Sequence, residues 1–222
     1  MNKIIKFSST IILLLFIVGC GGRKFVKPPV DVYIAKFVDE QNFAIILEDM
    51  NVEGTFFKTY KHRYKIVLEL ADGTPVKSIS EWMEVEENYF WASEKNLGMT
   101  LCYKKDGKLE KNVSPPGYQY VGNKRYGEWR SHGGNSFWAF YGQYMFMSSM
   151  FGMMNRPVYR NEYNTYRGGY YGSNKGYYGP TAKGGLSKYG TNSLGTRKDK
   201  PGFFSRRASR TGWSGGRGRS GF

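Results

Sequence analysis

The sequence predicts a mainly β fold: a small antiparallel sheet, with an α+β variant open, followed by one apolar helix and a disordered tail. Three observations carry this. Between residues 31 and 110, runs such as VYIAKFV, FAIIL, TFFKTYKHRYKIVLEL and MTLCYKK are rich in β-branched and aromatic residues. Within them Tyr64, Ile66, Leu68 and Leu70 alternate with Lys65, Val67 and Glu69, the period of a half-buried strand. ADGTP at 71–75 and KKDGK at 104–108 place Asp-Gly turn signals between strand-like runs. A segment of about 80 residues folds alone with little stability to spare.

The N-terminus has its own logic. MNKIIK carries two lysines, residues 7–19 carry no charge, and Ile11 to Val18 are all apolar. A positive start, a short apolar run and small residues at its end make a secretory signal, too short to span a bilayer. The run ends on Ile17-Val18-Gly19-Cys20. This resembles the lipobox of bacterial lipoproteins: an aliphatic residue at −3, a small one at −1, then cysteine. The resemblance implies a diacylglycerol thioether on Cys20, cleavage of residues 1–19 and acylation of the new N-terminus. Residues 20–30, with RKFVKPPV, read as a lipidated tether. The expected location is the extracytoplasmic side of a bacterial cell envelope, anchored to a membrane. With Cys20 lipidated, Cys102 has no partner in the chain and reads as a small core hydrophobe.

The compact β-rich domain is expected over 31–110, and its candidate sites each fail. Asp49, Asn51, Glu53 and Gly54 match the opening of a calcium loop, but its twelfth position is Tyr60 rather than glutamate. A hairpin turn explains the stretch better. Glu81, Glu84, Glu86 and Glu87 read as a solvated acidic side. His62 and His132 each lack a neighbour at metal-ligand spacing. No nucleophile elbow, phosphate loop or dinucleotide fingerprint occurs. No catalytic, metal or cofactor residue is assigned.

Pro115-Pro116-Gly117 is a strong breaker, so residues 111–135 read as a linker. The stretch NSFWAFYGQYMFMSSMFGMMN, 135–155, carries no charge. A helix over 136–155 is expected, capped by Asn135 or Ser136. It packs on the β domain, enters a membrane interface, or binds a partner.

Residues 156–222 hold 15 glycines, 8 tyrosines and 14 Lys+Arg against 2 acids. Only Val158, Leu186 and Leu194 are branched aliphatics. The segment therefore reads as a disordered basic tail. Charge is segregated: residues 23–110 have a net charge of −2 and residues 111–222 one of +15. Arg156, Arg160, Arg167, Arg206, Arg207, Arg210, Arg217 and Arg219 are the candidate polyanion contacts, since arginine pairs with phosphates. Arg-Gly segments such as SGGRGRSGF also suit nucleic acid. An exported protein meets anionic lipid, lipopolysaccharide or wall polymer first. The order of parts, a lipidated cysteine, then SFWAFYGQYMFMSSMFGMMNRPVYR, then a Gly/Ser/Tyr-rich basic tail, resembles uncharacterised bacterial lipoproteins of the YgiB type. That resemblance implies no activity and assigns no site residues.

The expected function is a lipid-anchored envelope protein of non-catalytic binding or structural type, whose basic tail contacts anionic surfaces or an envelope protein. The alternatives are a membrane-associated enzyme or accessory with its site in 31–110, and a nucleic-acid binder if the signal is misread.

Overall fold

A computed structural model describes residues 27–182, 184–209 and 213. Helix α1 (Pro29–Lys36) precedes β1 (Phe43–Glu53), β2 (Thr59–Glu69), β3 (Pro75–Ile79) and β4 (Met83–Val85). Helix α2 (Glu87–Ala92) leads through a 3-10 turn to β5 (Thr100–Lys105) and β6 (Lys108–Glu110). The fold is mainly β. These six strands form one antiparallel sheet in the order β3-β2-β1-β5-β6, with β4 also pairing β2. The expected Asp-Gly turns are present: Asp106 and Gly107 both adopt positive φ and join β5 to β6.

Strand β1 is buried on both faces, and a bulge sets its register. Pairing runs Leu47↔Tyr64 and then Asp49↔Arg63, leaving Glu48 as the extra residue. A bulge inserts one residue and reverses the in-out alternation beyond it. So Phe43, Ile45 and Leu47 share one core with Met50 and Val52, while Ala44 and Ile46 belong to the other. The first core is covered by α1 and α2 through Val30 and Phe90. Cys102 lies in it, fully buried as expected, and burial pushes its thiol pKa up to about 12.

The second core is built from residues that the sequence reading placed outside any core. Residues 111–135, expected as a linker, contribute Tyr118, Tyr120, Val121 and Tyr126. The helix expected over 136–155 is not formed. Instead β7 (Gly127–His132) and β8 (Asn135–Phe140) make a hairpin, followed by a 3-10 turn and α3 (Phe146–Met150), a helix of five residues. The reason is local. Gly133 and Gly134, with φ of 56° and 80°, form the two-residue turn that a hairpin requires. Among the described residues no helix is long and apolar enough to cross a membrane.

The expected disorder from residue 156 does not hold over 156–182 and 184–209. Helices α4 (Arg160–Gly169), α5 (Leu194–Asp199) and α6 (Pro201–Ser209) are present. Tyr166, Tyr177 and Tyr189 are buried in the second core, and Phe203 and Trp213 in the first. Aromatic rings replace the missing aliphatics, since each buries about 150–250 Å². Tyr118 alone lies within ring contact of Tyr163, Tyr166, Tyr177 and Tyr189, at centroid distances of 5.3 to 6.2 Å. The glycines sit mainly in turns; Gly172, Gly179 and Gly190 adopt positive φ, where glycine carries no Cβ penalty.

Candidate functional site

The arginines nominated from the sequence separate into two groups. Arg156, Arg206 and Arg207 are tied to internal acids. Arg156 Nη2 donates to Asp199 Oδ2 at 2.8 Å. Arg206 Nη2 donates to Asp49 Oδ1 at 2.6 Å, and Arg207 Nη2 lies 2.6 Å from Glu94 Oε1. The Arg206 and Arg207 contacts fasten the basic C-terminal segment to the acidic first half, and the Arg156 contact closes within that segment. They do not present cations to an external polyanion. Arg210, Arg217 and Arg219 lie outside the described residues, as does Cys20.

The same fastening shapes a cleft of about 230 Å³ beside the β1 bulge. Glu48 reaches both Lys65, at 3.3 Å, and Lys200. Burial works against the charged carboxyl, but the two ammonium groups outweigh it and hold the Glu48 pKa below its usual value. Burial lowers the Lys65 pKa, with Glu48 opposing. Arg156 and Asp199 line the opposite wall as a further pair. The acids and cations here satisfy one another, so the cleft reads as a closed ion-pair joint. Among the described residues no three His, Cys, Asp or Glu side chains gather as a metal-holding group.

Arg160 and Arg167 behave differently. Both lie on α4 and both are exposed. Seven residues apart at 3.6 per turn, they share one helix face about 10 Å apart. Neither has an acidic partner among the described residues. Each guanidinium is instead held on an aromatic ring: Arg160 5.6 Å from the Trp129 centroid, and Arg167 3.9 Å from that of Tyr171. Stacking fixes the plane of the guanidinium and leaves its N–H edge open to a phosphate or carboxylate.

The first half adds to this patch. Lys108 Nζ lies 5.5 Å from the Tyr171 ring centroid and also pairs with Glu110 at 2.9 Å. Lys105 sits close enough to feel Arg167: burial first, with the Arg167 charge adding to it, lowers its pKa. Arg160, Arg167, Lys105 and Lys108 thus form one basic surface with Trp129 and Tyr171 embedded in it. Sequence reading found the two arginines and missed the two lysines and two rings. The available signals were the seven-residue spacing of Arg160 and Arg167 and the lysines around the Asp106-Gly107 turn. What joins them is the packing of α4 beside the β5–β6 hairpin.

No known family matches the chain, and no curated protein or solved structure does so either.

Proposed function

We propose that the protein is a lipid-anchored bacterial cell-envelope protein of non-catalytic binding or structural type, which contacts an anionic envelope surface through the basic patch on α4. The observation that carries the binding half of this reading is the pair of exposed guanidinium groups, Arg160 and Arg167, each stacked on a ring and lacking an internal acid. The anchoring half rests on the Ile17-Val18-Gly19-Cys20 sequence. Anionic lipid headgroups, lipopolysaccharide phosphates and acidic wall polymers all offer the ligand chemistry the patch suits.

The test uses the mature chain from residue 20 carrying Cys20→Ser, so that neither an acyl group nor the apolar run 11–18 masks the patch. Vesicles with anionic lipid should bind it more tightly than neutral ones, and rising salt should erase the difference. Each exposed cation near such a surface contributes about 1 kcal/mol, so Arg160→Gln and Arg167→Gln should each weaken the anionic increment about fivefold. An anionic increment unchanged in the double variant overturns the patch. Intact mass of the membrane-extracted wild-type chain tests the anchor separately.

A further inference from the structure

Among the described residues, the most exposed apolar side chains are adjacent. Phe56 and Phe57 are each 93% exposed, at the tip of the β1–β2 hairpin. The loop that shows them is built for that shape. Gly54 has a φ of 85°, and a Cβ there would lie 2.0 Å from the Phe57 carbonyl oxygen. One residue further in on each strand, Val52 and Tyr60 are buried. The hairpin is therefore supported up to its last pair and then ends in two bare phenyl rings.

The way the chain enters the fold says what covers them. The Phe37 ring lies 5.7 Å from Phe43, at the start of β1, and the Tyr33 ring lies 6.0 Å from Tyr64, which pairs with Leu47. Followed back from Phe37, α1 moves from the level of Phe43 to that of about Ile45, where Asp31 lies 3.2 Å from Lys111 just beyond β6. Nine residues separate Pro29, at the start of α1, from Cys20, a reach of at most about 32 Å. From Ile45 to Glu53 the strand rises about 26 Å. A lipid on Cys20 and the tip of the hairpin can thus lie in the same plane.

We infer that Phe56 and Phe57 insert into the membrane that holds the Cys20 lipid, as an apolar second foot at the boundary between headgroups and acyl chains. This rests on the anchored reading above. Insertion here is apolar in kind. Glu53 is paired with Lys61 at 2.6 Å, exposed Glu84 lies across from Lys61 on β4, and Lys58 follows Phe57 in the loop, so cations and acids balance around the tip and give no net cationic collar. The orientation has a consequence for the basic patch. Lys104 pairs with Phe43, so the β5–β6 turn and Arg167 lie at the opposite end of the sheet, about 33 Å from Glu53 along β1. Planting the tip points the patch away from the anchoring membrane, toward a polyanion facing it.

A nitroxide placed through Thr55→Cys tests this in the full, lipidated chain reconstituted in phosphatidylcholine vesicles. Cys102 is buried and unreactive, so labelling is selective. The label should sit about 5–10 Å below the headgroup surface by oxygen and nickel accessibility. Phe56→Ser with Phe57→Ser should return it to water, and Phe56→Trp with Phe57→Trp should keep it immersed. Both phenylalanines are exposed, so neither change disturbs the core. In the Cys20→Ser chain, binding to neutral vesicles should be insensitive to salt and fall at least about tenfold in the double serine variant. A label that stays aqueous in a chain whose mass shows the acyl groups overturns the inference and leaves the anchor standing. A chain without acyl groups fails the anchor instead, and the Cys20→Ser comparison then decides the tip. Self-association that disappears in the serine variant, with no vesicle binding, assigns the tip to a second copy and overturns the inference.

Discussion

His62 sits on β2 with no exposed surface, its Nδ1 3.0 Å from the Tyr64 hydroxyl and its ring against Tyr89 and Phe90. Burial pushes its pKa down to about 3. An unfolded histidine titrates near 6.5. Between those values the unfolded chain binds a proton that the folded chain refuses, so stability falls as pH falls through this window. The slope approaches about 1.4 kcal/mol per pH unit. Denaturant titrations between these limits should show it, and His62→Phe should flatten that part of the profile. An unchanged profile in the variant would show that another group sets the window. The sequence marked His62 as isolated from metal-ligand neighbours, and it lies in the core. Its neutral state was not legible, because the rings around it come from α2, more than 25 residues away.

At the scale of elements, β7 was read as linker and β8 as the start of a helix. The Gly133-Gly134 pair is a local hairpin signal, yet the uncharged run behind it suggested a longer helical span. Once the turn forms, Trp129 and Trp138 face each other at 5.3 Å, and Gly127 lets β8 approach closely. A Cβ on Gly127 would lie 2.2 Å from the Ala139 carbonyl oxygen, backbone that cannot move aside cheaply. Gly127→Ala should therefore cost about 2 kcal/mol or more. Gly142 has open space around its Cβ position, and Gly142→Ala should stay within about 0.5 kcal/mol. Equal costs at the two sites, measured by denaturant unfolding, would contradict the close approach. Helix α4 was half legible. The stripe Tyr159, Tyr163, Tyr166 and Tyr170 has helical spacing, yet it lies within the segment read as disordered. In the structure Gly168 and Gly169 only close its last turn.

For the whole molecule, the described part of the tail acts as cover for the first half. Trp213 joins Phe203 to Phe90, its ring 5.2 Å from Phe203 and 5.3 Å from Phe90. Lys200, Arg206 and Arg207 bind Glu48, Asp49 and Glu94. Phe203→Ala should destabilise the protein by about 3–5 kcal/mol, with the sheet and the tyrosine layer unfolding together in denaturant. Limited proteolysis should leave a core extending through Ser209, since buried chain is protected. Early cleavage at Arg167 or Lys188 would contradict that order.

The sequence by itself determined β1, β2 and β5, their Asp-Gly turns, the buried Cys102 and the segregation of charge; VYIAKFV, read as strand-like, and the end of the expected tether form α1 instead. Those features are local: alternation, turn residues and composition each act within a few positions. Tertiary structure decided the rest. Tyrosine and glycine compositions allow disorder and allow a core equally, because a tyrosine becomes core only when other rings meet it. Tyr118, Tyr166, Tyr177 and Tyr189 meet across 71 positions of chain, and no local pattern announces the encounter. The same holds for the cations. Arg206 and Arg167 look alike in sequence, and only packing gives one an internal aspartate and leaves the other on an open ring.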